Sequence, residues 1–292
     1  MKHRILLTGR HGQVGWELER MLPQVGEVFA FGREELDLAD PDQIREKVRL
    51  VKPTIIVNAA AYTAVDRAEE EPELAMAING TAPGILAEEA KKLDALLVHY
   101  STDYVFDGTK AEPYTEEDEP NPLNVYGKTK LAGERAIQAT WGKHLIFRTS
   151  WVYGMRGKNF LLTILKLAKE RDEIRVVDDQ VGAPTWCRTI AERTAEALCI
   201  FTYPKITAFC SSYGLYHLSA RGHCSWYGFA KEIISLSKEQ DLLIKQISPI
   251  LSSDYTTKAT RPKNSQLDHS KTLKYLLKNL PQWQEDLFVC LN

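Results

Sequence analysis

A tyrosine and a lysine four residues apart, Tyr126 and Lys130, stand where the proline-bearing stretch 120–122 gives way to an apolar-periodic run. One helical turn separates such a pair, so both side chains share a face and the ammonium can approach the phenol oxygen. A positive charge there lowers a phenol from about 10 toward the range of a working proton donor or acceptor. The same spacing also suits a solvated helix face on which Lys128 and Lys130 are surface charges. Two further groups are of chemical type. In "TGRHGQVG", Gly9, Gly12 and Gly15 recur at three-residue intervals directly after an apolar run. Glycine lets the backbone approach a pyrophosphate, and exposed N–H groups at a helix start favour its negative charge. In "YSTDYVFDG", Ser101, Thr102 and Asp103 follow another apolar run. A hydroxyl and a carboxylate in that place are either a cap for the next element or a site.

These residues need elements to position them. Short runs at 4–7, 28–31, 54–57, 96–100 and 145–147 are nearly continuous in apolar residues, as strands buried on both faces should be. Helical patterns at 17–22, 41–51, 72–78, 81–93 and 127–138 lie between them, with Asp40 and Thr81 as caps of the second and fourth. The alternation predicts an α/β fold, a Rossmann-type doubly wound parallel sheet, over residues 1–154 as a dinucleotide-binding domain. Beyond it the alternation weakens, with an amphipathic stretch at 159–169 and shorter elements near 216–218 and 225–236. Residues 155–292 are expected to form mainly a smaller C-terminal substrate-binding lobe, with some segments returning to the Rossmann domain.

Ligands of such sheets bind at the carboxyl ends of the strands. The glycine turn, "NAAAYTAVDRAE" after the third strand, Thr102 and Tyr126 therefore converge on one edge. The run Ala59, Ala60, Ala61 admits a cofactor against the backbone or packs helix on sheet. At the end of the second strand, where a ribose 2′-hydroxyl usually draws an acid, stands Gly32-Arg33. Arg33 is either a partner for a 2′-phosphate, which favours NADPH, or a surface charge.

Composition excludes other classes. With 292 residues and a formal net charge of −2, the chain can bury a full core and offers no basic surface for nucleic acid or anionic lipid. The first residues run straight into a strand, too short for a signal-peptide core, and no apolar run reaches membrane-spanning length, so a cytoplasmic protein is expected. Five cysteines (187, 199, 210, 224, 290) are odd in number and lack C-x-x-C spacing, which points to free, mostly buried thiols. Neither G-x-S-x-G nor H-E-x-x-H occurs, and the acidic runs 69–71 and 116–119 read as solvated faces.

With G-x-x-G-x-x-G at Gly9, Gly12, Gly15 and Y-x-x-x-K at Tyr126 and Lys130, the chain resembles the extended branch of the short-chain dehydrogenase/reductase superfamily. The segments "GQVGWEL", "VNAAAYTAVDRAE", "STDYVF", "NVYGKTKLAGE", "FRTSWVYG", "DDQVGAPT" and "RPKNSQLD", in order over residues 12–268, resemble the dTDP-4-dehydrorhamnose reductase family. The resemblance implies NADPH-dependent reduction of dTDP-6-deoxy-L-lyxo-4-hexulose to dTDP-L-rhamnose, with NADH as an alternative cofactor. By matching motifs it implies Tyr126 as proton donor to the C4 oxygen. Lys130 would hold the nicotinamide ribose and lower the tyrosine's pKa, Thr102 would hydrogen-bond the carbonyl beside Asp103, and Trp151 would line the sugar pocket. Gly12, Gln13, Val14, Asp37, Leu38, Ala61, Tyr62 and Thr63 would contact the dinucleotide. The family often has an acid where Gly32 stands. Some relatives bind magnesium between subunits; Glu17 suits such a site but Arg188 occupies a place where a carboxylate would help, which leaves Mg2+ uncommitted, and a homodimer is compatible with the resemblance. Two rival functions share the motifs. One is an epimerase or dehydratase of the same branch, although Tyr104 stands where dehydratases typically carry glutamate. The other is a non-catalytic regulator similar to the regulatory subunit of methionine adenosyltransferase.

Overall fold

The computed structural model describes residues 2–202, 213–238 and 241–292. Five strands come early in the chain: β1 (His3–Thr8), β2 (Gly26–Phe31), β3 (Ile55–Asn58), β4 (Leu96–Thr102) and β5 (His144–Thr149). Short pieces come next, β6 (Val152–Tyr153), β7 (Glu173–Val177), β8 (Val181–Gly182) and β9 (Thr185–Trp186), and then β10 (Gly214–His217). The central sheet has the order β10-β5-β4-β3-β1-β2, with every pairing parallel. The chain leaves β1 toward β2 on one side and returns to β3 on the other, which puts a topological switch point beside the glycine turn.

Period-two alternation splits each strand between two cores. Ile5, Leu7, Ile55, Val57 and Val98 pack on one face under α1 (Gln13–Met21), whereas Leu6, Ile56, Leu97 and Ile146 pack on the other under α2 (Pro41–Val51). Asp40 caps α2 as expected, accepting from the N–H groups of Asp42 and Gln43. Thr81 does not cap. It has helical dihedrals and no side-chain cap bond, because α3 (Val65–Ala68) and α4 (Pro72–Met76) lead into a π-turn at Ala77–Thr81 that continues unbroken into α5 (Ala82–Leu93).

α6 (Val125–Thr140) brings Tyr126 and Lys130 in from the carboxyl edge. Later helices are α7 (Phe160–Glu170), α8 (Cys187–Thr202), α9 (Trp226–Leu236), α10 (Ser270–Tyr275) and α11 (Trp283–Leu291), and the last strands are β11 (Cys224–Ser225) and β12 (Gln246–Ile250). A third core gathers Leu161, Ile164, Ile174, Phe229, Ile233 and Leu287 from α7, β7, α9 and α11. α8 instead packs its Ile190, Ala195 and Leu198 into the α1 face of the central sheet. Of the cysteines, Cys187 is buried, Cys199, Cys224 and Cys290 are half-buried, and all four are free thiols; Cys210 lies outside the described residues.

Candidate active site

The turn between β1 and α1 is shaped by two glycines. Gly9 has φ +75°, and a Cβ on it would lie 2.8 Å from the Ala60 backbone nitrogen; a Cβ on Gly15 would lie 2.0 Å from the Gly9 carbonyl oxygen. Gly12 precedes the first turn of α1 in extended conformation and donates its N–H to Gly9 O at 2.9 Å. The helix therefore starts with N–H groups at Gln13, Val14 and Gly15 that have no partner within it, an arrangement suited to an anion. The side chains of Gln13 and Val14 turn elsewhere. Gln13 Oε1 accepts from Asn159 Nδ2 at 2.7 Å, and Val14 packs against the cores beneath, so only their backbone can face a phosphate.

Beyond Gly9, a cleft at the switch point is lined by Arg33, Asp37, Leu38, Ala61, Tyr62 and Thr63. Six sequence-predicted positions thus share one cavity with the glycine turn. Asn79, in the π-turn, fixes its wall: its Oδ1 accepts from Tyr62 N–H at 2.8 Å, and its amide nitrogen donates to Tyr62 O and to Thr129 Oγ1 of α6. Nothing in the spacing around Asn79 marks it, since an extra residue in a helical turn has no simple sequence period.

The end of β2 departs from expectation. No acid occupies residues 29–33, but Glu35 reaches back and accepts from Gly32 N–H at 2.9 Å. That contact, with Arg10 and other nearby cations, keeps the Glu35 carboxyl below its ordinary value. A carboxylate therefore does stand beside Gly32. Arg33 is 70 % exposed, with its Nε 3.5 Å from Asp37 Oδ2. Arg10, which sequence reasoning passed over, lies closer in, bound to Glu19 at 2.9 Å and 3.8 Å from Glu35.

Catalytic-type groups meet at the ends of β4 and β5. Thr102 Oγ1 donates to Asp103 Oδ1 at 3.0 Å and accepts from Tyr104 N–H at 3.1 Å, while Ser150 donates to Asp103 Oδ2 at 3.1 Å. Burial pushes the Asp103 carboxyl up to about 6, against hydroxyl contacts from Ser265, Thr102 and Ser150 that favour its charge. Asn124 starts α6, its Oδ1 accepting from Gly127 N–H at 2.8 Å and its amide nitrogen donating to Thr260 O. Tyr126 stands in the first turn, edge-on to Tyr104 with ring centroids 5.9 Å apart. The residue is half-buried, yet desolvation outweighs the Thr102 contact and raises its phenol to about 12, with the Asp103 charge adding to the rise.

Lys130 is not a surface charge: it is 1 % exposed, unlike Lys128. Its Nζ donates to Tyr100 O at 2.5 Å and lies 3.3 Å from His99 Nε2. The expected lowering of the Tyr126 phenol by Lys130 is absent from this geometry, because the amine is engaged below the cleft and burial dominates at the phenol. Lys130 is itself lowered to about 8 by burial, opposed by Glu134.

Trp151 lies just past β5 with a left-handed φ of +44°, a strained conformation for a bulky residue. One face of its indole is covered by Trp226 from α9, with centroids 3.5 Å apart and planes 5° apart. Any sugar contact is left to its other surfaces. Trp226 is a third residue, after Asn79 and Arg10, that the motifs did not reveal.

Glu17 has the Arg188 guanidinium as its neighbour, Nε to Oε2 3.4 Å. Among the described residues no group of three or more His, Cys, Asp or Glu is placed to hold a metal, and no helix is long and apolar enough to cross a membrane.

A family profile described as RmlD substrate binding domain matches residues 2–292. A dTDP-4-dehydrorhamnose reductase of Burkholderia thailandensis is 46 % identical over 292 residues, covering 99 % of this chain and 98 % of that protein. One of Escherichia coli K12 is 45 % identical, covering 99 % and 97 %. A crystal structure of dTDP-4-dehydrorhamnose reductase from Bacillus anthracis in complex with NADP superposes with TM-score 0.89 at 37 % identity, covering 99 % of each chain. The UDP-glucose 4-epimerase of Thermus thermophilus, at 19 % identity and TM-score 0.77, shares the fold alone. Glycine turn, Thr102, Tyr126 and Lys130 thus lie on one sheet edge within a match that runs almost end to end, and the chain belongs to the dTDP-4-dehydrorhamnose reductase family.

Proposed function

We propose that this protein reduces dTDP-4-dehydro-6-deoxy-L-mannose (dTDP-6-deoxy-L-lyxo-4-hexulose) to dTDP-L-rhamnose with NADPH, the last step in making that sugar donor, in the cytoplasm. The observation that carries the reading is the convergence of Thr102 and Tyr126 on the carboxyl edge beside the glycine turn, inside a near full-length likeness to reductases of this name. The backbone of Gly9, Gly12, Gln13, Val14 and Gly15 would hold the pyrophosphate. Asp37, Leu38, Ala61, Tyr62 and Thr63 would line the rest of the dinucleotide cleft, with Arg33 near the 2′ position. When bound, the reduced nicotinamide supplies the hydride. Tyr126 keeps its proton at neutral pH, since its phenol sits at about 12, as a donor to a developing alkoxide must. Thr102 lies within contact of that phenol and would stabilise the same oxygen, provided its hydrogen leaves Asp103. Lys130, a turn further along α6, would hold the nicotinamide ribose. Residues 155–292 would supply mainly the sugar side, including Trp151's partner Trp226.

Tyr104 supports reduction over dehydration. Its phenol is raised by burial and by Asp103 beyond the ordinary range, so it is a poor base for abstracting a proton from carbon. The test is to supply NADPH and the 4-keto sugar nucleotide and follow nicotinamide absorbance beside product NMR. One cofactor oxidised per 4-hydroxy sugar is expected. Product without cofactor consumption indicates an epimerase or dehydratase, and a folded, NADPH-binding but inactive protein indicates a regulator.

A further inference from the structure

A single buried polar row runs beneath the cleft. Thr8 ends β1, Asn58 ends β3, His99 lies in β4 and Lys130 in α6, and each is 1 % exposed. Thr8 pairs in register with Asn58 and Asn58 with His99, so the parallel ladder itself sets these three side chains in line.

The hydrogen bonds can be followed from one end. Ala60 N–H donates to Thr8 Oγ1 at 3.2 Å, and the Thr8 hydroxyl donates in turn to Asn58 Oδ1 at 2.6 Å. With the amide oxygen turned to Thr8, Asn58 Nδ2 faces His99 Nδ1 at 3.1 Å and donates to it. Nδ1 then carries no hydrogen. Burial, the largest cause, holds His99 well below its usual value, so the ring is neutral and its one hydrogen is on Nε2. That N–H points to Lys130 Nζ, 3.3 Å away. An ammonium has three donors and no acceptor and would meet it donor to donor. A neutral amine accepts with its lone pair while still donating to Tyr100 O.

We infer that Thr8 and Asn58 fix the tautomer of His99, and that His99 is a positioning residue which favours Lys130 as a neutral amine with its lone pair toward Nε2–H. The inference rests on the reading of Lys130 as a site residue. The other groups facing Lys130 do not compete. Glu134, one turn on in α6, favours the ammonium but is held in a bidentate pair by Arg148 of β5; Tyr126, one turn back, is protonated, and His99 brings no charge. Lys130 is thereby a group whose protonation changes near neutral pH.

Two variants turn the row around. Thr8→Val keeps shape and charge but frees the Asn58 amide to present its oxygen to His99 Nδ1–H, which leaves Nε2 bare to accept from an ammonium. Asn58→Asp imposes the same tautomer with acceptors on both sides. Long-range 1H–15N spectra of imidazole-labelled protein report the tautomer directly, and the pH profile of kcat/KM for the 4-keto sugar nucleotide reports Lys130. Expected are Nε2–H at His99 in the wild type and Nδ1–H in both variants. The limb near pH 8 should move up by about one unit in Thr8→Val and further in Asn58→Asp. Nδ1–H in the wild type, or a limb unmoved in both variants, overturns the inference. Lys130→Met retaining wild-type kcat/KM and NADPH affinity would instead overturn the site reading, and the tautomer would still have been measured.

Discussion

Replacing Asp103 with asparagine should make the protein more stable at neutral pH. Asp103 is 2 % exposed and its carboxyl is raised by burial from 3.8 to about 6. An acid whose folded-state pKa lies above its unfolded value contributes stability that is fully present below the unfolded pKa and is lost as pH rises through the folded one. Here the window runs from about 3.8 to about 6. Two units at about 1.4 kcal/mol each place the loss at about 3 kcal/mol by neutral pH. Asparagine cannot ionise, is nearly isosteric, and keeps an oxygen for the Thr102 hydroxyl; Ser150 can reorient to accept from its amide. Chemical denaturation of wild type and Asp103→Asn at pH 4.5 and 7.5 measures the effect, since changes at all other groups cancel in the difference between the two proteins. The variant's advantage should grow by about 2 kcal/mol between these pH values. An advantage that is constant with pH, or that shrinks as pH rises, refutes the claim that burial rather than hydrogen bonding governs this carboxylate.

Tyr126→Phe removes one proton donor and almost no volume, so kcat should fall by about 10²–10⁴-fold with NADPH affinity from cofactor titration largely kept. Arg33→Ala should lower kcat/KM for NADPH selectively, and Glu35→Gln, by removing the carboxylate that caps Gly32, should raise the NADPH over NADH ratio; equal cofactor use in all three proteins would sink the 2′-phosphate assignment. Glu134 and Arg148 form a bidentate pair, 1 % and 3 % exposed, at 2.9 and 2.7 Å, and Glu134→Gln should cost about 3–5 kcal/mol in denaturant titration because it strands a buried guanidinium.

Continuous apolar runs in strands buried on both faces made β1 to β5 legible, and glycine and capping chemistry located the turn at Gly9 and the start of α2 at Asp40. Helices whose signal depends on neighbours were not read. α8 lacks a strong punctuating residue at its start, and the π-turn at 77–81 made one continuous helical passage look like two helices with Thr81 between them. At the site, residue type and position were readable, but partner choice was not. Tyr126 and Lys130 share a helix face as the spacing requires, yet Lys130 extends to Tyr100 O and His99. Glu35 reaches back three residues to Gly32, and Trp226 arrives from 75 positions beyond Trp151. Lys130 and Trp226 make tertiary contacts, the Glu35 contact closes a local turn, and none of the three follows a helix or strand period.

Those contacts have a common physical consequence. Asp103 is raised to about 6, Lys130 lowered to about 8 and Tyr126 raised to about 12, and in all three the largest cause is desolvation, which opposes whichever charge the group would carry. A cleft that disfavours charge of both signs also strengthens each remaining polar contact within it. A phenol that gives up its proton there leaves a phenolate with little solvent to stabilise it, so the neighbouring donors Thr102 and Lys130 must carry that task. Thr102 spends its hydrogen on Asp103, and Lys130 faces His99 and the Tyr100 carbonyl. Proton donation by Tyr126 is therefore coupled to rearrangement of two buried hydrogen bonds, and the pH dependence of turnover should track those neighbours rather than the phenol itself.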